Sequence, residues 1–193
     1  MNESHYIDAT RRWVERVVVA LNLCPFARKE LVQERVRFVC SEAVSEEALL
    51  CDVHDELQYL EQHPDVETTL LIHPRVLQEF DAYLDGLADA EALLAHLGFE
   101  GVYQIASFHP DYQFAGTDNE AAENYTNRSP YPMMHLLREQ SLEQAIARYP
   151  DIESIPRNNI DRVASLGEPA MRAMVAECLQ AAGPEKDSTG DSD

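Results

Sequence analysis

The sequence is short of positive charge, of long apolar runs and of cysteine patterns, and each shortage excludes something. Among 193 residues, Lys and Arg number 15 against 35 Asp and Glu, a net charge of -20. A field of that sign repels phosphate backbones and anionic lipid heads, so neither nucleic acid nor a membrane surface is expected as a partner. The longest aliphatic run, Val17 to Leu21, is far below the ~20 residues of a membrane-spanning helix. The opening "MNESHYIDATRR" has no apolar signal core, so no export is expected. Cys24, Cys40, Cys51 and Cys178 form no CxxC and no dense framework, which predicts reduced thiols and a cytoplasmic location. The "NYT" and "NRS" at Asn124 and Asn127 then carry no meaning as glycosylation signals. No GxGxxG, GxxxxGK, HExxH or GxSxG occurs, and nucleotide folds of the familiar kinds are unsupported.

What is present suffices for a core, with 45% of residues hydrophobic. The expectation is one α/β domain over residues 1–182 and a disordered acidic tail over 183–193. Trp13, Val14, Val17, Val18 and Leu21 share one helical face. "VRFVCSEA" reads as a strand, and Ser45 opens a helix with Leu49, Leu50, Val53, Leu57 and Leu60 on one side. "VETTLLIHP" is a second strand. A third helix carries Leu77, Phe80, Leu84 and Leu87, with a break near Asp89 and a stop at Gly98. "VYQIASFHP" is the third strand. This alternation predicts a small, mostly parallel sheet of about three strands, a βαβαβ core with an N-terminal helix. The C-terminal third reads as helical, starting with "SPYPMMHLLREQ" and a capping box at Ser141 to Gln144.

Two strands end alike, "LLIHPR" at His73 and "ASFHPD" at His109. Ligands of parallel sheets bind beyond the carboxyl ends of the strands, which makes both histidines candidates for general acid–base work or metal ligation. Zinc or iron would be the metal, with Asp111 able to add an oxygen. Proline after a strand is also ordinary punctuation. Cys24 is a third catalytic candidate if a helix N-terminus favours its thiolate, although free cysteines are commonly buried as small hydrophobes. The stretch from Pro110 to Pro130 has no period and gathers Asp111, Tyr112, Asn127 and Arg128. Long loops of this kind are usually functional, and an arginine near a helix start can clamp an anion. His135, read as helical, is placed near the same loop.

Five blocks carry a resemblance: "LNLCPFA" from Leu21, "ETTLLIHP" from Glu67, "SFHPDYQFAGT" from Ser107, "NYTNRSPYP" from Asn124 and "HLLRE" from His135. Together they resemble a bacterial family known as domain of unknown function 1415, over about Ile7 to Gly167. The resemblance implies a single-domain protein of bacterial type and supplies no activity, cofactor or catalytic residue.

On the residues alone, the favoured expectation is an enzyme acting on a small polar or anionic molecule. His73, His109 and Cys24 would be catalytic. Asp111, Tyr112, Asn127, Arg128 and His135 would hold the substrate in a crevice roofed by the 110–130 loop. The alternative is a non-catalytic module, binding a small molecule or a protein, in which the histidines are structural.

Overall fold

The computed structural model describes residues 2–149 and 151–180, so the acidic tail read over 183–193 lies outside them. Helix α1 (Glu3–Trp13) starts at Asn2, whose side chain accepts from His5 N–H. The chain then widens into a π-helical turn, Val14–Val19, and a short α2 (Ala27–Val32) follows. Strand β1 (Val36–Cys40) leads into α3 (Glu46–Gln62), capped by the Ser45 side chain on Ala48 N–H. Strand β2 (Thr68–Ile72), α4 (Phe80–His96) and β3 (Tyr103–Phe108) complete the expected alternation.

Helix α4 runs unbroken through Asp89 and buries Tyr83, Gly86, Ala90 and Leu94, not the expected leucine stripe. Leu84 is left largely exposed. The buried face uses small residues because the preceding turn packs on it. Leu77, at φ +54°, lays its side chain where a Cβ on Gly86 would lie 2.4 Å from Leu77 Cδ1.

The main correction concerns "MMHLLR". It forms strand β4 (Met133–Arg138) instead of opening a helix. The sheet therefore has four strands in the order β1-β2-β4-β3. β1 and β2 are parallel, while β4 runs antiparallel to both β2 and β3. The sheet is thus mixed rather than mostly parallel with three strands. The helical third begins only at α5 (Glu139–Ala147), with Ser141 inside that helix and not at its cap. Helices α6 (Ile155–Leu166) and α7 (Glu168–Leu179) meet at Gly167, whose φ of +80° only glycine takes without strain.

Alternation along the strands sends side chains to two cores. Leu71, Met134, Leu136 and Tyr103 pack against α3 and α4. Leu70 and Met133 pack against Trp13, Val14 and Val17 from the N-terminal helical segment, with Val163 of α6 and Met171 of α7 beyond. Arg138 fastens the first of these layers, donating to the carbonyls of Leu60, His63 and Val66 and to Tyr103 Oη. No described helix is long and apolar enough to cross a membrane.

Candidate functional site

His73 and His109 lie on the same face of the sheet, one residue beyond β2 and β3, with β4 between those strands. Neither side chain reaches solvent, both being 0% exposed. Tyr83 of α4 stacks on His73 at a ring-centroid distance of 5.8 Å and lies tilted against His109 at 5.1 Å. Its hydroxyl donates to Met133 O at 2.9 Å and accepts from Phe108 N–H at 3.0 Å.

The hydrogen bonds assign the tautomers. His73 Nδ1 lies 3.0 Å from Val76 O, which can only accept, so the His73 proton is on Nδ1. His109 Nδ1 accepts from Asp111 N–H at 3.0 Å, so the His109 proton is on Nε2. Both Nε2 atoms are buried, with no hydrogen-bond partner among the described residues. Burial pushes the His73 pKa down to about 4, against the pull of Val76 O. Burial also lowers that of His109, against the nearby Asp111 charge and the carbonyls of Leu77 and Gln78. Both rings are neutral at neutral pH.

These facts bear on a shared metal. Only His73 offers a lone pair at Nε2, backed by the carbonyl contact typical of a ligating imidazole. His109 presents an N–H there. Among the described residues, no three His, Cys, Asp or Glu side chains come together as a metal-holding group. The donor set does not fit zinc or iron held between the two histidines.

Cys24 and His135 stand elsewhere, on the opposite face of the sheet. Both line a cavity of about 280 Å³. Its floor is Thr68, Leu70, Ala106 and His135; Trp13, Val14 and Val18 form one wall, Cys24, Phe26 and Ala27 another, and Leu142 and Ala145 of α5 a third. The surface facing the cavity is mostly apolar, and its polar members are Thr68, His135, Ser141, Glu30, Glu67 and Arg138. Thr68 Oγ1 donates to Leu136 O at 2.5 Å, which uses its only proton. The 2.7 Å contact between Thr68 Oγ1 and His135 Nε2 must therefore be donated by the imidazole. His135 Nδ1 is left as an acceptor with no hydrogen bond from the described residues, and it is not sealed off as the free Nε2 atoms of His73 and His109 are. Burial pushes the His135 pKa down to about 4. Burial likewise raises the Cys24 thiol, opposed by the amides of Phe26 and Ala27 at the start of α2. Glu30, Glu67 and Arg138 also reach the lining, but each is engaged elsewhere, the two carboxylates with Arg35 and Arg138 with the carbonyls of Leu60, His63 and Val66.

The remaining expected substrate groups divide. Arg128 is 8% exposed and donates to Tyr112 O, Asn119 O and Asn119 Oδ1, with its guanidinium 4.9 Å from the centre of the Tyr125 ring. Asp111 and Arg128 line a crevice of about 360 Å³ between the loop and α7. The Tyr112 ring packs on Phe80 and Phe114. Asn127 lies along the outer edge of β3, donating to Ser107 O at 3.1 Å. His135 lines the apolar cavity and no part of that crevice, and it sits on the opposite sheet face from the strand-end histidines.

A family model described as "Protein of unknown function (DUF1415)" matches residues 5–173. The chain belongs to this family. No curated protein matches the chain, and no solved structure does.

In this DUF1415 member the cavity draws on four of the five blocks that carried the resemblance, around Cys24, Thr68, Phe108 and His135. Sequence reasoning missed Thr68 because a threonine inside a strand is ordinary. It missed the π-helical turn because the spacing of Val14, Val17 and Val18 fits an α-helix as well. The pairing of His135 with Leu70 and Ala106 across β4 was hidden once "HLLRE" was read as helix.

Proposed function

We propose that the protein binds a small, largely apolar, uncharged molecule in the cavity beneath the N-terminal helices, anchored by one hydrogen-bond donor on His135 Nδ1. The observation that carries this reading is the Thr68–His135 pair. Its proton order leaves His135 Nδ1 as an unengaged acceptor in a mostly apolar chamber, whose charged lining groups Glu30, Glu67 and Arg138 are held by other partners. Chambers of this composition, with a few placed polar groups, are the usual form of small-molecule sites. The π-helical turn supports it, because Val14 and Val18 line the chamber and π-turns recur at functional sites. A dry cavity of roughly 150 Å³ accepts benzene, so the larger chamber here suits a ligand of about ten non-hydrogen atoms.

This is the non-catalytic alternative rather than the enzyme expected at the strand ends. Burial that keeps Cys24 protonated and His135 neutral suits retention of a neutral ligand better than thiolate chemistry. In the same reading His73 and His109 are structural, binding the turn after β2 and the start of the 110–130 loop to the sheet.

The chain's only tryptophan, Trp13, reports the cavity directly. Titration with 4-bromophenol, a heavy-atom quencher, should reduce Trp13 fluorescence saturably. The isosteric 4-bromotoluene, which cannot donate, should bind about fivefold more weakly, as loss of one hydrogen bond predicts. His135→Leu should abolish that difference, and Ala106→Leu should block both ligands. Equal affinities in the unaltered protein, or quenching unaffected by Ala106→Leu, would overturn the reading.

A further inference from the structure

The crevice between the 110–130 loop and α7 shares no lining residue with the apolar cavity. Its chemistry is of another kind. Arg128 is buried, yet among the described residues no carboxylate lies within ion-pair distance of it. Its Nε and Nη2 are occupied by Tyr112 and Asn119, while Nη1 has no hydrogen-bond partner among the described residues. A buried cation satisfied only by neutral acceptors is costly. A second guanidinium, Arg172, reaches the same crevice from α7. It is held in place by Glu168, which binds both Arg172 Nε at 2.8 Å and the Tyr125 hydroxyl at 3.0 Å. Tyr125 in turn lies against Arg128. One network therefore positions two cations contributed by segments far apart in sequence.

The crevice is not uniformly positive. Asp111 stands on its lining, and Val175 and Leu179 give it an apolar side. Two arginines and two carboxylates, Asp111 and Glu168, sum to zero, which disfavours a multiply charged phosphate. Glu168 is committed to Arg172, however, and only Arg128 stands without an ion-pair partner among the described residues, which suits a single negative charge beside it. A planar carboxylate matches the guanidinium fork, and the apolar side suits a short hydrocarbon or aromatic substituent.

We propose that this crevice is a second binding site, for a small organic monocarboxylate, with Arg128 and Arg172 holding the carboxylate and Val175 and Leu179 the apolar part.

The probe is 4-fluorobenzoate, followed by fluorine NMR at constant ionic strength, with neutral 4-fluorobenzamide as control. The benzoate should bind saturably and the amide at least tenfold more weakly. Arg172→Gln, an exposed change that leaves folding intact, should weaken the benzoate about tenfold. Glu168→Gln removes a competing charge and should strengthen it severalfold. Arg128→Lys keeps the charge but loses the fork, so it should weaken binding if the variant folds. Ala106→Leu, which fills the other cavity, should leave benzoate binding unchanged. Equal binding of benzoate and amide, indifference to Arg172→Gln, or loss in Ala106→Leu would each overturn the assignment. The last would place the ligand in the apolar cavity, whose own test with 4-bromophenol is independent.

Discussion

Tyr83 stands between His73 and His109, and the three rings make one buried unit at the carboxyl ends of β2 and β3. Each imidazole has one nitrogen engaged with backbone and the other enclosed. Truncating either to alanine should therefore cost roughly 3 kcal/mol, from the lost packing and the unpaired backbone partner. Thermal unfolding should show this as a fall of about 6–12 °C. His135→Leu should behave differently. Thr68 keeps its bond to Leu136 O and the leucine fills the same space, so stability should change by no more than about 1 kcal/mol. A histidine pair serving catalysis alone would give the opposite ranking, with His73→Ala and His109→Ala nearly neutral in chemical denaturation.

At the scale of elements, Arg138 is the point where α3, β3 and β4 are tied together. Its guanidinium satisfies carbonyls at the end of α3 and in the turn beyond it. Hydrogen bonds from a charged donor are among the stronger ones. Arg138→Leu should lower stability by about 3 kcal/mol in urea denaturation, with the loss expressed in both α3 and β4 by hydrogen exchange. The same strand shows where sequence reading stops. β1, β2, β3 and α3 were legible because their runs, caps and turn residues agree. β4 was not, because it is an inner strand covered on both faces. Met133, Met134 and Leu136 are all buried, so period-two alternation is absent, and Met and Leu favour helices by propensity. That single element determined the sheet's polarity and placed His135 on the far face. The strand-end histidines could be located from sequence, but their enclosure by Tyr83 and Phe80 depends on which face of α4 is buried. Small residues at Gly86 and Ala90 conceal that face.

For the whole molecule, three neutral imidazoles, two buried outright and His135 enclosed at the cavity, make stability depend on pH in one direction. His73 and His135 have folded-state pKa values of about 4, below the ~6.5 of an unfolded histidine. Between those limits the unfolded chain binds more protons, so stability falls as pH falls. The contribution is complete above pH ~6.5 and is lost on approach to pH ~4. Each such histidine should cost roughly 2 kcal/mol by pH ~4.5. The 35 acidic residues titrate in the same range, so the comparison is between the protein and His135→Leu. Denaturation midpoints of the two should differ by a constant above pH ~7 and should shift in favour of the variant by about 2 kcal/mol at pH ~4.5. Parallel curves would mean that His135 is not held neutral by burial. Ligand affinity, by contrast, should be flat from pH ~8 to ~6, because His135 Nδ1 remains an acceptor throughout that range.

Occupancy of the chamber can be seen in a crystal of the protein soaked with 4-bromophenol and measured at the bromine absorption edge. One strong anomalous peak is expected inside the chamber among Val14, Val18, Leu70 and Phe108, with the phenol oxygen within hydrogen-bond distance of His135 Nδ1. Bromine found only on the outer surface, or a phenol oriented away from His135, would contradict it.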